Sequence, residues 1–186
     1  MGDFPVNLRL DGKSVLVVGG GPVDELVAAG ADVTQVQPDA YEPGSAARYR
    51  LVLVRTPDEG VAQRVFDDAD TAGVWVNSAD DPPRCTFTLP ARLRRGDLLV
   101  TVSTGGRSPA LASWLRQRIE ADVGPEYETL LDLLAEEREA MRATGASTEV
   151  AGWKTALGSG MLDLVRDGNL AAARELLRTC LSSSSG

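Results

Sequence analysis

The sequence predicts an α/β fold: a doubly wound parallel sheet, then an antiparallel strand pair and a C-terminal helical domain. Four short apolar runs alternate with helical stretches over the first 80 residues, which is the pattern of a parallel sheet with helices on both faces. A glycine-rich turn follows the first run. Beyond Asp81 the pattern changes to alternating strands and then to helical spacing, which predicts the remaining two parts.

The first predicted strand, residues 14–18, runs directly into a turn of three glycines at residues 19–21, hereafter the glycine turn. A short, continuous apolar run of this kind is typical of a strand buried on both faces. Residues 24–29 are predicted to form a helix, because Gly30 provides a C-terminal stop. Further strands are predicted at residues 32–36, 51–54 and 74–77, with a loop at 41–50 and a helix at 59–72 that begins after Asp58.

After the sheet, residues 86–89 and 98–102 are predicted to form an antiparallel pair joined by a turn at residues 95–97. Ser108 and Pro109 are an N-cap and a first helical residue, and the helix should extend to about residue 121. From Glu126 the spacing is helical, and two further helices flank residues 167–169. We therefore predict three domains, at residues 1–85, 86–121 and 122–186.

Composition limits the chemistry that the chain can perform. The sequence has no histidine and only two cysteines, which form no CxxC pair, so catalytic triads and His-ligated zinc are excluded and no metal site is predicted. The formal net charge of −8 argues against non-specific nucleic-acid binding. Residues 1–5 lack the basic region and apolar core of a signal peptide, and no apolar run is long enough for a membrane span, so we expect a cytoplasmic protein.

Basic residues concentrate in one part of this acidic chain. Between Pro90 and Arg118 there are six arginines and a single acid, Asp97. Such a segment suits an anionic small ligand or an acidic partner surface, but a solvated helix face is an equally good interpretation. The six are Arg92, Arg94, Arg95, Arg107, Arg116 and Arg118.

The glycine turn predicts a dinucleotide site. Glycine lets a backbone approach a pyrophosphate, and an acid about 20 residues later can accept hydrogen bonds from ribose hydroxyls; Asp39 lies at that distance from Gly19. The alternatives are a purely structural turn and, for Asp39, a turn-forming residue after Pro38. Ligands of such sheets bind at the carboxyl ends of the strands, and the predicted cofactor residues are Gly19, Gly21, Pro22, Val23, Pro38, Asp39 and Thr56.

Asp80 and Asp81 lie on the loop that follows the fourth strand. A carboxylate at the mouth of a sheet, beside a bound ring system, is placed to act as a general base. The alternative is an Asp-Asp-Pro turn whose side chains cap backbone N–H groups. With no histidine in the chain, Asp80 is nevertheless a candidate for proton transfer.

Residues 103–109, Ser-Thr-Gly-Gly-Arg-Ser-Pro, join a strand to a capped helix. They offer backbone N–H groups, hydroxyls and the Arg107 guanidinium to one anion. An ordinary tight connection would use the same glycines. The alternative to that connection is an anion site to which Thr104, Gly105 and Arg107 contribute.

These motifs resemble the precorrin-2 dehydrogenase and sirohydrochlorin ferrochelatase family, the N-terminal part of siroheme synthases. Four blocks carry the resemblance: GKSVLVVGGGPV at residues 12–23, AGADVT at 29–34, VNSADDP at 76–82 and VTVSTGGRSPALA at 100–112. The last block is the most specific, and with the helical tail the resemblance covers nearly the whole chain.

The resemblance implies an NAD-binding Rossmann-like domain, a dimerisation segment and a helical domain, assembled as a homodimer with intertwined middle segments. It implies NAD-dependent oxidation of precorrin-2 to sirohydrochlorin in siroheme biosynthesis, with ferrous iron as a further substrate in bifunctional members. The family's catalytic aspartate, in its Asn-x-x-Asp motif, falls on Asp80, and the hydroxyl before Gly-Gly falls on Thr104, near the substrate. The resemblance thus implies substrate contacts from Asn77, Thr104, Gly105 and Arg107. Because precorrin-2 is a polycarboxylate, Arg107 is the first candidate contact in the arginine-rich segment.

The chain also departs from the family. About five residues of the helix after Val23 are missing, and a strand and helix of roughly twenty residues are absent between Pro38 and Tyr41. Two alternatives remain open at this stage. One is chelation of iron or cobalt into sirohydrochlorin, instead of or beside the oxidation, and the other is a non-catalytic, nucleotide-sensing dimeric module.

Overall fold

The computed structural model describes residues 3–149 and 151–183. These residues divide into two compact units: one comprises the described residues up to Leu89 together with Gly105–Arg107, and the other comprises Pro90–Thr104 and the described residues from Ser108 onward. Residues 1–2 of the N-terminal segment, and residues 150 and 184–186 of the predicted third domain, lie outside the described residues.

The first unit is an α/β sheet structure. Its elements follow one another as the sequence predicts, with differences of one or two residues at their ends. They are β1 (Ser14–Gly19), α1 (Val23–Ala28), β2 (Asp32–Val36), β3 (Leu51–Arg55), α2 (Glu59–Thr71) and β4 (Trp75–Ser78).

The four strands form one parallel sheet in the order β2-β1-β3-β4. Central β1 pairs on both sides, so that Val18 lies opposite Val36 on β2 and opposite Val54 on β3. Both faces are covered, which explains the unbroken apolar runs. One face packs Val15, Val17, Leu51 and Leu53 with Leu26 of α1, and the other packs Leu16, Val18, Val52, Val54 and Val76 with Ala62, Val65 and Ala69 of α2.

The connection from β2 to β3 contains no α-helix, only 3₁₀ turns at Pro38–Ala40 and Ser45–Arg48. The buried Tyr41 hydroxyl donates to the Asp68 carboxylate on α2 at 2.8 Å, and the Gly44 N–H donates to the same carboxylate at 2.6 Å. Burial, reinforced by that hydrogen bond, raises the pKa of Tyr41 to about 12. Anchoring on Asp68 thus closes the connection where the family resemblance leads one to expect a further strand and helix.

The second unit begins with a two-stranded antiparallel sheet and continues as helices. Its elements are β5 (Ala91–Arg95), β6 (Leu98–Val102), α3 (Pro109–Asp122), α4 (Glu126–Ala143), α5 (Gly152–Gly158), α6 (Met161–Arg166) and α7 (Leu170–Ser182). Ser108 caps α3 as predicted, because its hydroxyl accepts from the Leu111 N–H at 3.2 Å. The helical core contains Leu130, Leu133, Ala156, Met161, Val165, Ala173, Leu177 and Leu181.

The predicted strand at residues 86–89 is wrong as a partner of β6. The strand that pairs with β6 is β5, in which Arg95 lies opposite Leu98. Thr86 instead returns to the parallel sheet: its N–H donates to the Val76 carbonyl at 2.8 Å, and its hydroxyl accepts from the Val76 N–H at 2.9 Å. The alternation at residues 86–89 therefore reflects a chain that lies along β4.

In the part of the chain that the structure describes, no helix combines the length and the apolar character that crossing a membrane requires.

Replacing Gly19 with alanine is expected to destabilise the first unit more than replacing Gly44. Both glycines have φ +78°, so each alanine incurs the left-handed penalty of about 1–2 kcal/mol. A Cβ at Gly19 would lie 2.1 Å from the Arg55 carbonyl oxygen, whereas a Cβ at Gly44 meets nothing within 4 Å. Overpacking should therefore add about 1–3 kcal/mol to the loss of unfolding free energy in Gly19→Ala, and nothing in Gly44→Ala.

Urea unfolding of Gly19→Ala and Gly44→Ala measures this difference directly, since Gly44→Ala serves as the control for the backbone term. Equal losses of unfolding free energy in the two variants would contradict the close approach at Gly19.

Candidate active site

The carboxyl ends of all four parallel strands lie at one edge of the sheet. The glycine turn follows β1, Asp39 follows β2, Thr56 follows β3 and Asp80 follows β4. The Ala79 N–H, just before Asp80, donates to the Val54 carbonyl at 2.8 Å, so this loop continues alongside the end of β3. The sheet thus brings the predicted cofactor residues and the predicted catalytic residue to the same edge.

The glycine turn is packed tightly between the ends of β2 and β3. The Gly20 N–H donates to the Arg55 carbonyl at 3.4 Å, and the Gln35 side chain donates to the Gly19 carbonyl at 2.7 Å. A Cβ at Gly21 would lie 3.0 Å from a methyl carbon of Val17. The glycines are therefore required by local packing, and they also leave the outer face of the turn bare of side chains, with Gly20 and Gly21 exposed.

The residues that follow the turn begin a short helix. Pro22 is the N-cap of α1 but makes no side-chain cap hydrogen bond, and the half-buried Val23 packs against the core. The helix has only six residues and carries Asp24 and Glu25 in its first turn. These two carboxylates oppose a bound anion, so the N-terminus of α1 does not by itself make a phosphate site.

The other predicted cofactor residues differ in how free their side chains are. Pro38 adjoins the glycine turn, since its Cγ would lie 3.5 Å from a Cβ at Gly19, and the neighbouring Asp39 is exposed. The Thr56 hydroxyl accepts from the Asp58 N–H at 3.1 Å, and it therefore supports the start of α2. Asp39 is free to accept from a ribose, whereas Thr56 has a structural use.

Asp80 has φ +62° and is the one non-glycine residue with positive φ among those that the structure describes. This left-handed conformation is uncommon for a residue with a Cβ, although Asp and Asn tolerate it best. The side chain is exposed, and no described residue pairs with its carboxylate. The loop therefore holds Asp80 in an unfavourable backbone conformation and leaves its carboxylate available.

Asp81, by contrast, is paired. Its carboxylate accepts from the Arg84 guanidinium, with both side chains about three-quarters buried. The Arg84 Nε donates in turn to the Gln63 side chain on α2 at 2.7 Å. The two neighbouring aspartates thus have different surroundings, and Asp81 anchors the loop to α2.

Cys85 fixes the other side of this loop. Its Sγ accepts from the Ser78 N–H at 3.3 Å and lies within donating distance of the Ser78 and Asp81 carbonyls, at 3.1 and 3.3 Å. Burial raises the pKa of the Cys85 thiol, which remains an uncharged donor at neutral pH. Asn77 contributes as well, because its amide donates to the Phe87 carbonyl at 2.9 Å. The predicted substrate residue Asn77 therefore has a positioning contact within the first unit.

The Thr104 hydroxyl closes the predicted anion loop on itself. It accepts from the Ser108 N–H at 3.1 Å and lies 3.1 Å from the Ser108 carbonyl. Gly105 and Gly106 have φ +58° and +74°, and a Cβ at either position would meet nothing within 4 Å. Arg107 is exposed. The loop thus combines left-handed glycines in open space with an exposed guanidinium, an arrangement that an anion could use.

Much of the arginine-rich segment serves structural purposes. Arg95 and Arg116 both contact the Glu120 carboxylate, and Arg116, followed by Arg95, lowers the pKa of Glu120. The Arg118 guanidinium lies 5.0 Å from the centre of the Trp114 ring, within the range of a cation–π contact. Neither of the two interpretations left open by the sequence is needed for Arg95, Arg116 and Arg118, because contacts within the second unit account for them; Arg107 remains as a ligand candidate.

The residues at the sheet edge fit a dinucleotide. The exposed backbone of the glycine turn can approach a pyrophosphate, and the exposed carboxylate of Asp39 after β2 can accept from ribose hydroxyls. Among the described residues, no group of three or more Cys, Asp or Glu side chains is arranged to hold a metal ion.

Sequence reasoning missed three residues at this edge: Arg55, Arg84 and Cys85. Arg55 had a usable signal, since it directly follows the predicted strand at residues 51–54, at the carboxyl end of that apolar run. Arg84 and Cys85 had none, because their contacts depend on the 3₁₀ turn at Pro82–Arg84.

Replacing Cys85 with alanine is expected to loosen the Asp80 loop. The change removes an acceptor from the Ser78 N–H and a donor to two carbonyls, at a cost of about 1–2 kcal/mol. Cys85→Ser is the matched control, since its hydroxyl can still donate and accept. Faster amide hydrogen exchange at Asp80 and Asp81 in Cys85→Ala, partly reversed in Cys85→Ser, is the predicted result. Identical exchange in all three proteins would show that the thiol does not hold the loop.

Two family models match the chain. Residues 6–91 match a family described as putative NAD(P)-binding, and residues 95–122 match the central part of the sirohaem biosynthesis proteins. Siroheme synthase from Methylobacillus flagellatus is 32% identical over 98% of this chain and 44% of its own length. Siroheme synthase from Tolumonas auensis is 34% identical over 75% of this chain and 34% of its own length.

The chain spans less than half of the length of these curated relatives. The alignment with the Methylobacillus flagellatus protein covers 209 positions, more than the chain's own length, so that relative has residues with no counterpart here, in agreement with the predicted missing stretches.

The solved structure titled SirC, precorrin-2 dehydrogenase, has the same fold. Its TM-score with this chain is 0.70 at 24% sequence identity, over 96% of this chain and 98% of that one. The predicted architecture of a Rossmann-like domain, an antiparallel strand pair and C-terminal helices is thereby confirmed. Two adjacent family matches and relatives aligned along almost the whole chain support the same conclusion: the chain belongs to the family formed by the N-terminal part of siroheme synthases.

Proposed function

We propose that the chain oxidises precorrin-2 to sirohydrochlorin, with NAD as the hydride acceptor and Asp80 as the residue that accepts the proton. The siroheme synthase relatives and the putative NAD(P)-binding match support the reaction class. The observation that carries the residue assignment is the free carboxylate of Asp80, held at φ +62° at the sheet edge that also bears the glycine turn.

The cofactor would be held by groups that follow β1 and β2. Gly20 and Gly21 present an exposed backbone to the pyrophosphate, and Asp39 accepts from ribose hydroxyls. When bound, NAD supplies the hydride acceptor for the reaction. Pro38 and Val23 contribute shape beside the turn rather than polar contacts.

Asp80 would remove a proton from the macrocycle. Its carboxylate has no partner among the described residues, whereas the Asp81 carboxylate is occupied by Arg84. A general base must lie within hydrogen-bond reach of the proton that it takes, and a free, exposed side chain can reach a bound ligand. Arg107 supports binding of the substrate, because its exposed guanidinium suits a carboxylate of the polyacidic macrocycle.

Asp80→Asn is expected to lower kcat by about 10²–10⁴-fold with little loss of folding stability. Asparagine tolerates the left-handed conformation as aspartate does, so this variant removes the base without disturbing the loop. The measurement is anaerobic incubation with precorrin-2 and NAD, followed by the absorbance of sirohydrochlorin.

Asp81→Asn is the matched control, one residue away. It removes the partner of Arg84 and should lower stability while it retains most of the turnover. Wild-type turnover in Asp80→Asn, or equal losses in both variants, would contradict the assignment of Asp80.

The same assay separates the alternatives. NAD binding without turnover by the wild-type protein would favour a nucleotide-sensing module over an enzyme. Addition of ferrous or cobaltous ion to sirohydrochlorin, followed by absorbance, tests chelation separately, with the ion as a substrate.

We also propose that the chain forms a homodimer through its second unit and works in the cytoplasm. Leu111 and Trp114 lie one turn apart on α3, and their side chains are 47% and 50% exposed. The β5–β6 pair has only two strands, so each of them has one edge without a strand partner among the described residues. Both features are satisfied by a second copy. Cys85 and Cys180 form no disulfide with each other, which suits a reducing compartment.

Trp114→Glu is expected to raise the dimer dissociation constant by about tenfold or more, because it places a charge in an apolar contact. Leu157→Glu is the control, since Leu157 is a similarly exposed apolar side chain, 43%, on a different helix, α5. Sedimentation velocity over a range of concentrations measures both variants. A monomeric wild-type protein, or equal weakening by the two substitutions, would refute the proposed interface.

A further inference from the structure

Arg55 is the last residue of β3 and lies directly against the glycine turn. It pairs with Gly19 in the parallel register. Its aliphatic stem passes over Gly20, since a Cβ at Gly20 would lie 3.4 Å from Cδ, 3.9 Å from Cβ and 4.0 Å from Cγ of Arg55. The guanidinium follows immediately after Cδ and therefore extends from the turn.

The Arg55 guanidinium has no partner among the described residues. The residue is exposed, and no described carboxylate or carbonyl accepts from its side chain. Other arginines of the first unit do have such partners, since Arg84 pairs with Asp81 and Arg48 pairs with Glu42. The packing of its aliphatic stem against Gly20 thus positions Arg55, while its guanidinium is available to a ligand.

The charges near the glycine turn call for a cation there if the turn is to hold a pyrophosphate. The helix behind the turn is six residues long, and its first turn carries Asp24 and Glu25. The Asp24 carboxylate repels an anion placed at the turn. A guanidinium offers several N–H donors in a planar fork that matches phosphate oxygens.

We infer that Arg55 is a cofactor-binding residue whose guanidinium pairs with the pyrophosphate of the dinucleotide at the glycine turn. The inference rests on the proposed function, because it requires that a dinucleotide binds at this edge. The stem of Arg55 lies over Gly20, and the charge that it brings offsets the acidic start of α1. Arg55 is a binding residue in this account and takes no part in proton transfer.

Calorimetric titration of the full chain with NAD, and separately with ADP, tests the inference without any turnover. Arg55→Ala should raise the Kd for both ligands by about tenfold or more, because it removes charged hydrogen bonds to phosphate. Arg55→Lys should fall between the wild type and Arg55→Ala, since an ammonium retains the charge but loses the fork.

Arg50→Ala is the matched control. Arg50 is exposed and directly precedes β3, so it lies at the opposite end of the same strand, and its removal changes the net charge by the same amount. Its Kd for NAD should remain within about twofold of the wild type, which excludes a general charge effect.

The outcomes separate this inference from the proposed function. Absence of NAD binding by the wild-type protein would overturn both. NAD binding that is equal in the wild type and Arg55→Ala, or equally weakened in Arg50→Ala, would overturn the inference and leave the proposed function standing. An unchanged Kd for NAD together with a raised KM for precorrin-2 would likewise overturn it, because Arg55 would then contact the substrate's carboxylates.

Discussion

The backbone of Gly19 passes so close to the Arg55 carbonyl oxygen that a Cβ would lie 2.1 Å from it. This approach lets the chain leave β1 in a left-handed turn directly against the end of β3. Because β1 is the central strand, the turn also meets the end of β2, where Pro38 adjoins it. The arrangement of this edge of the sheet therefore depends on the absence of a side chain at Gly19. The turn that results leaves the backbone of Gly20 and Gly21 exposed.

At the same edge of the sheet, the adjacent aspartates Asp80 and Asp81 have different surroundings and different roles. The Asp81 carboxylate pairs with Arg84, which in turn donates to Gln63 on α2. The Cys85 thiol contacts the Asp81 carbonyl. These contacts stabilise a loop in which Asp80 has a positive φ and a carboxylate that no other described residue pairs with. Backbone strain of this kind persists only where the surroundings determine it. The cost of the conformation is offset by contacts of its neighbours, which leaves Asp80 available to a ligand.

Local patterns predicted the parts of the fold that depend on periodicity. The apolar runs gave β1, β2, β3 and β4 because a strand buried on both faces needs them, and Ser108 marked the start of α3 through its cap. The strand at residues 86–89 was wrong because alternation does not identify the pairing partner, and Thr86 pairs with Val76. The sequence pattern did not predict β5, because most of its residues are charged and only one of its side chains, Leu93, is buried.

The site shows the same division between local and tertiary information. The glycine turn, Asp39 and Asp80 were predictable, since they follow strands that end at one edge. The partner of Asp81, the role of Cys85 and the stem of Arg55 over Gly20 depend on contacts between elements, which no spacing in the sequence encodes. The absence of a helix between β2 and β3 could be predicted from the gap relative to the family. The hydrogen bonds to Asp68 that hold the shorter connection could not be predicted.

The central claim is that a dinucleotide binds at the carboxyl edge of the parallel sheet, beside Asp80. Amide chemical-shift mapping during titration with NAD tests this most directly. The account predicts that the perturbed amides concentrate after the four strands, at Gly20, Gly21, Asp39, Thr56 and Asp80. Perturbation concentrated at the opposite edge, around Gly12, Arg50 and Gly73, would contradict it.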